Sequence, residues 1–433
     1  MVDRCQSYFL YDCYLINSFH ILVRWYSQYL HRDDYRELII FFAERKLSLG
    51  GVFADDKIAQ LAALDVRVHL AFDMNWDDTR ERLSRLVDAY LRLAYVVPTH
   101  REFMHSGYSS EPVVAEAAAR LLNCTERDSV NPTSCAYIGV IGPDILIQAD
   151  SSGYLARGKR AEAVGRLLMT VAHDSAIMST NPNPKSTTTA VFHKPVKVLD
   201  FLRHLLHPRY HNEVLNARPV SGSAKSPSLN EAFQDAYISF SHFAQAGDSK
   251  VIQLHQLHHA LLRGMAYRCT DLQTSIDVVT AIHFGDPSTT GIGKDNISIL
   301  QVQINHRAGG EDPQGIRVDP IMQAPSSDLP MISLYLELGL SPSLVQAVTR
   351  RNMDSWRKAA KDDDHHYLIV THGCSSETFS AIPPECDAKY RSLLRATSIM
   401  DDFPRNNQPG NLQLASLQKP AWYNQKEFFN WFE

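Results

Sequence analysis

The sequence predicts an α/β chain of the α+β type: a helical N-terminal region, then a small mixed sheet flanked by helices. Two observations lead there. From Tyr8 to about Leu122, apolar residues recur at three- and four-residue spacing, the period of a half-buried helix. After about residue 250, short β-branched and aromatic runs alternate with helical stretches in the order α, β, β, β, α, β, α, which suits helices packed on a small mixed sheet. A chain of 433 residues is long enough for two or three domains. The expected division is a helical region over 1–123, a helical linker or middle domain over 124–249, an α/β domain over 250–400 and a tail over 401–433.

The elements follow in order. "DDTRERLSRLVDAYLRLAYVV" sets Leu83, Leu86, Val87, Tyr90 and Leu93 on one stripe of a helix. "SSEPVVAEAAARLLN" opens with serine, Glu111 and Pro112, which are helix-start signals, and ends at Asn123. "CAYIGVIG" and "DILIQAD" are short apolar runs between Pro, Gly and Asp and read as a small hairpin or buried loop. "ARGKRAEAVGRLLMTVAHDSAIM" is helical, with Val164, Leu167, Leu168, Val171 and Ala172 inward. "STNPNPKSTTTA" breaks the period and reads as a loop. "VKVLDFLRHLL" returns to helix. After a second loop, Ser228 and Glu231 form a capping box for a helix carrying Leu229, Phe233, Tyr237, Phe240 and Ala244 on one face. Further on, "VIQLHQLHHALLRGMAYRC" reads as helix, "LPMISLYLELGL" as strand, "SLVQAVTRRNMDSWRKAAK" as helix, "YLIVTHG" as a buried strand and "DAKYRSLLRAT" as a closing helix.

Composition bounds the function. The chain is 44% hydrophobic and 21% charged with a net charge of −5, so its overall field does not favour nucleic acid, and any such contact needs a local basic patch. Cys5, Cys13, Cys124, Cys135, Cys269, Cys374 and Cys386 are scattered without a CxxC pair, which points to reduced thiols and an intracellular chain, cytoplasmic or nuclear. The aromatic-rich start contains Asp12 and Arg24 and lacks the run of about 20 apolar residues that a spanning helix needs. No membrane association is expected. No GxxxxGK[ST] phosphate loop occurs, and "GIGKD" at Gly291–Asp295 is too short to be one.

The stretch "SIDVVTAIHFGDPSTTGIGKDNISILQVQINHR" offers the sharpest candidate chemistry. Two β-branched runs flank a turn-rich loop. Asp277 opens the first run; Gln301 and Gln303 lie on one face of the second. Metal-dependent nucleases place an Asp at such a strand start and a Glu or Gln, one residue, then a Lys on the adjacent strand. Oxygen ligands hold a hard cation, and the cation and lysine activate water and stabilise charge on the phosphate. Here Asp277 and Gln301 are the candidate Mg²⁺ ligands, with Gln303 where the lysine should be. An amide is uncharged and a very poor base, so the site reads as degenerate. The plain alternative is a hydrogen-bonded polar stripe on an ordinary hairpin.

Other candidates are weaker. His255, His258 and His259 share one helix face; two of them can bind zinc, and His242, His365 and His366 are the distant candidates for a third ligand. Cys374 near His372 has the types of a nucleophile and base without an evident oxyanion site. His173 and Asp174 read as a packing or capping pair. Arg350, Arg351, Arg357 and Lys358, with Lys361 and Trp356, suit a phosphate backbone, although Asp362, Asp363 and Asp364 oppose their field.

From about Asp77 to Asp402 the chain resembles a family of uncharacterised fungal proteins, mostly of mushroom-forming basidiomycetes. The resemblance is carried by "AYVVPTHREFMHSGYSSEPVVAEAAARLLN", "LARGKRAEAVGRLLMTVAHD", "VKVLDFLRHLL", "LNEAFQDAYISFSHFA", "ALLRGMAYRCTDLQTSIDVVTAIH" and "ISILQVQINHR". Such proteins are similar in layout to Crinkler-type proteins, which join a P-loop NTPase to a restriction-endonuclease-like domain. The resemblance implies a PD-(D/E)xK-type domain over 250–400 in which the missing P-loop and Gln303 both argue against activity. It leaves three expectations: an inactive nuclease-like domain that binds DNA or a protein partner, a purely structural or interaction remnant of an NTPase-linked effector, or a live Mg²⁺-dependent DNA endonuclease that takes its lysine from elsewhere, with Lys294 as a candidate.

Overall fold

Helix-start chemistry and apolar periodicity place the first half of the chain. A computed structural model describes residues 33–74, 77–97, 105–108, 110–123, 137–180, 191–220, 225–247, 252–270, 276–306, 329–339, 343–348 and 365–395. Its first elements are α1 (Asp33–Leu47), α2 (Lys57–Val68), α3 (Asp77–Ala89), β1 (Leu93–Val96), β2 (His105–Gly107), α4 (Pro112–Leu122), α5 (Ile138–Ser151) and α6 (Arg160–Thr180). Asp56 caps α2 by accepting from the backbone N–H groups of Ile58 and Ala59 at 2.8 and 3.0 Å, satisfying donors that the first turn leaves open. Pro112 occupies the first turn of α4, where its missing N–H costs nothing.

Two expectations fail in this half. The stripe containing Leu93 does not continue as helix; the chain turns after Ala89 into the exposed strand β1, paired antiparallel with β2. The expected hairpin or loop at 138–151 is helix α5. Ile138, Ile145, Leu146 and Ala149 are buried at helical spacing, and Gly142 lies so close to Leu167 that a Cβ there would meet its Cδ1 at 2.9 Å. Short apolar runs fit strand and helix equally well, and packing against α6 decided between them.

The remaining elements are β3 (Val196–Lys197), α7 (Val198–Leu205), α8 (His211–Leu215), α9 (Leu229–Ala232), β4 (Ala236–Ile238), β5 (His242–Gln245), α10 (Leu254–Arg263), β6 (Met265–Arg268), β7 (Val278–Phe284), β8 (Ile297–Asn305), β9 (Met331–Glu337), β10 (Leu344–Val348), β11 (His366–His372) and α11 (Asp387–Leu393). Nine strands form one mixed sheet in the order β10-β11-β9-β8-β7-β4-β3, with β6 also on β7 and β5 on β6. β7 and β8 are an antiparallel hairpin, whereas β8–β9 and β9–β11 run parallel. The capping box at Ser228 and Glu231 forms as expected, but its helix lasts four residues. "AYISFSHF" alternates as well as repeating at helical spacing, and the alternation prevails because β4 pairs with β7 and β5 with β6. Likewise Leu344–Val348 is strand β10, not the start of a helix.

The expected boundary at residue 250 falls inside this sheet, since β3, β4 and β5 precede it and pair with strands that follow it. One hydrophobic core extends from Ile40 to Leu394. A smaller core under α10 joins Leu257 and Ala260 to Val279, Ala281, Ile297 and Ile299 on the other face of the hairpin. Among the described residues, no helix is long and apolar enough to cross a membrane. The basic cluster Arg350, Arg351, Arg357 and Lys358, the aromatic N-terminus and the tail lie outside the described residues.

Candidate functional site

Asp277 sits where β7 begins, at the end of the hairpin away from the loop. Its backbone N–H donates to Val302 O at 3.0 Å, and its Oδ2 accepts from the Ile304 N–H at 2.6 Å. Because Val278 pairs with Val302, Asp277 stands opposite Gln303. Both line a cavity of about 390 Å³, together with Glu162 and Arg160 from the start of α6, and Asn305 and His306 from the end of β8. Gly165 makes this arrangement possible. A Cβ at that position would lie 2.6 Å from Ile304 Cδ1, so only glycine lets α6 approach β8 this closely.

The carboxylates of Asp277 and Glu162 share a cationic surround. Glu162 Oε1 is 2.7 Å from Lys159 Nζ, and its Oε2 is 3.5 Å from Arg166 Nη1 and 3.9 Å from Arg268 Nε. Arg166 is fully buried and also donates to Val68 O at 2.8 Å. Burial pushes the Asp277 carboxyl up to about 6; the Ile304 N–H, Arg166 and Lys159 oppose that rise, and the Glu162 charge adds to it. Burial beside Arg268 brings Arg166 down to about 10. The site thus holds a carboxylate whose charge is disfavoured, within reach of cations that keep it partly ionised.

The two glutamines part company. Gln303 belongs to the cavity with Asp277. Gln301 faces Val279, is 3% exposed, and donates through Nε2 to Ser333 Oγ at 2.5 Å; Ser333 Oγ in turn bonds His366 Nε2 at 2.7 Å. Asn305, two residues beyond Gln303, lines the cavity and donates to the Tyr335 hydroxyl. Glu162, Arg166 and Asn305 were not singled out from sequence. The buried Arg166, lying among Ala163, Val164 and Leu167 on the inward face of α6, is the signal that was there to be read: charge on an apolar stripe needs a partner.

Mg²⁺ does not fit these residues. Lys159, Arg166 and Arg268 already surround the Glu162 carboxylate, and among the described residues no group of three His, Cys, Asp or Glu side chains is placed to hold a metal. Gln301, expected as a ligand, is committed to Ser333. Lys294 lies in the hairpin loop, at the opposite end of the seven-residue β7 from Asp277. At about 3.3 Å per residue that separates them by roughly 20 Å.

The other candidates resolve structurally. Asp174 is fully buried and bonds Arg67 at 2.7 and 3.1 Å and Asn123 at 2.7 Å; His173 beside it is held neutral, its pKa lowered by burial to about 3. Cys374 is buried, and burial drives its thiol far above the usual range, which removes the nucleophile reading. His242 bonds Ser110 at 2.8 Å, and His366 is engaged with Ser333. The histidines of α10 are taken up below.

No family model, curated protein or solved structure matches the chain.

Proposed function

We propose that this chain carries a nuclease-like domain whose catalytic constellation has been altered, so that it binds nucleic acid or a protein partner without cutting phosphodiester bonds. The observation that carries this reading is the composition of the Asp277 cavity. Asp277 opens a strand and faces Gln303 across the hairpin, with Glu162 contributed by a helix. In this register Gln303 holds the acid-or-amide position of the nuclease pattern and Asn305, one residue further along the same face, holds the lysine position. On this reading the altered pair is Gln303 and Asn305 in place of Gln301 and Gln303. Asn305 has no charge to offer a phosphate and no base to activate water. Of the cations around the cavity, Lys159 and Arg166 are bound to Glu162 and Arg160 to Asp150, while Arg395 lines its rim, where no lysine of the nuclease pattern stands.

The partner is tested by retardation of short duplex DNA at low salt. Retardation that fades as salt rises assigns nucleic acid, since phosphate contacts release counterions. Unretarded DNA, together with failure to cleave, assigns a protein partner. Cleavage that depends on Asp277 overturns the reading. Loss of that cleavage in Lys159→Ala would then identify Lys159 as the relocated lysine.

A further inference from the structure

α10 packs on β7 with Leu257 and Ala260 turned into the sheet. Positions 255 and 259, one helical turn apart, are both exposed. The Nε2 atoms of His255 and His259 stand 3.0 Å apart, with ring centroids 4.4 Å apart and ring planes at 83°. His258, the third member of the cluster, stacks on the His259 ring at 5.9 Å.

That separation has a coordination meaning. Imidazole nitrogens bind divalent first-row metals at about 2.0–2.1 Å, so one ion joined to two nitrogens this far apart subtends an angle of about 94°. The two Nε2 atoms are hydrogen-bonded to each other, and a divalent ion can take the place of the shared proton with both rings near their present positions. The geometry points to a surface site for Cu²⁺ or Ni²⁺ formed by His255 and His259, with water in the remaining positions. Among the described residues no third His, Cys, Asp or Glu joins them, so the ion exchanges with solvent. Cu²⁺ stands above Ni²⁺ and Zn²⁺ in intrinsic affinity for nitrogen ligands. His258, with its ring centroid 5.9 Å from that of His259, is not assigned as a ligand. This site is separate from the Asp277 cavity, which none of the three α10 histidines lines.

The test is calorimetric titration of the full chain, stripped with chelator, using CuCl₂, NiCl₂ and ZnCl₂ in turn. One Cu²⁺ site per chain is expected, tighter than Ni²⁺ and tighter than Zn²⁺. His255→Ala and His259→Ala should each weaken Cu²⁺ binding by about tenfold or more, whereas His258→Ala should change it by less than about threefold. His255 and His259 are exposed and His258 is half-buried, and unchanged circular dichroism confirms that the variants fold. Cu²⁺ affinity that survives the His255→Ala/His259→Ala double variant overturns the proposal, as does absence of binding by the wild type. Zn²⁺ binding as tight as Cu²⁺ overturns the assigned preference for Cu²⁺.

Discussion

Replacing Asp277 with asparagine should stabilise the protein at neutral and alkaline pH. The carboxyl is pushed up from the ordinary 3.8 to about 6, mainly by burial, with Glu162 adding to the rise. A raised carboxylate pKa means that the folded state binds the proton more tightly than the unfolded state. Its stabilising contribution is therefore present below the unfolded value and is lost as pH rises through the folded value. At about 1.4 kcal/mol per pH unit, ionised Asp277 costs the fold up to about 3 kcal/mol at pH 8, with solvent screening at its partly exposed edge lowering this toward about 2 kcal/mol. Asparagine removes the charge and keeps an oxygen to accept from the Ile304 N–H, so little is lost in exchange. The assay is urea denaturation of wild type and Asp277→Asn at pH 8 and pH 5. The variant should lead by about 2–3 kcal/mol at pH 8 and by roughly half as much at pH 5, where the wild-type carboxyl is mostly protonated in the fold. A variant that is neutral or destabilised at pH 8, or a lead that does not shrink on acidification, would refute the reasoning.

Three further outcomes follow from the same structure. Gly165→Val drives a branched side chain into Ile304 and should cost about 2–3 kcal/mol by denaturation, with Ile304→Val recovering part of the loss. Arg67→Met leaves Asp174 charged and buried and should cost about 3–5 kcal/mol, while adding Asp174→Leu should restore much of it. Cys374 and Cys269, both buried and with thiol pKa values raised by burial, should resist iodoacetamide in the native protein and react once urea unfolds it, as peptide mass mapping would show.

Much of the helical half was legible in the sequence because its signals are local. The Ser228–Glu231 capping box, Pro112 at the start of α4 and the long inward stripe of α6 all depend on residues within a few turns of one another. The β7–β8 hairpin was legible for the same reason, and with it Asp277 at the strand start. Misreadings arose where two periods coexist. "LNEAFQDAYISFSHFA" repeats at helical spacing, yet its second half is drawn into the sheet by β6 and β7, which lie tens of residues away. α5 was missed because Pro143 and Gly142 look like breakers, while burial against Leu167 holds the helix through them.

The site was half legible. Asp277 and Gln303 line one cavity while Gln301 is bonded to Ser333, because Val278 pairs with Val302, a register that local sequence does not specify. Glu162 and Arg166 lie more than a hundred residues upstream, and only the approach of α6 to β8 at Gly165 brings them to the strand ends. Such long-range neighbours leave no local pattern beyond an unexplained charge on an apolar stripe.

Incubation of the purified chain with supercoiled plasmid and Mg²⁺ or Mn²⁺, beside Asp277→Ala, separates an altered site from a working nuclease. Both proteins should leave the plasmid supercoiled. Nicking by the wild type that disappears in Asp277→Ala would contradict that, because the Asp277–Glu162 cavity would then be a working nuclease site without a lysine at position 305.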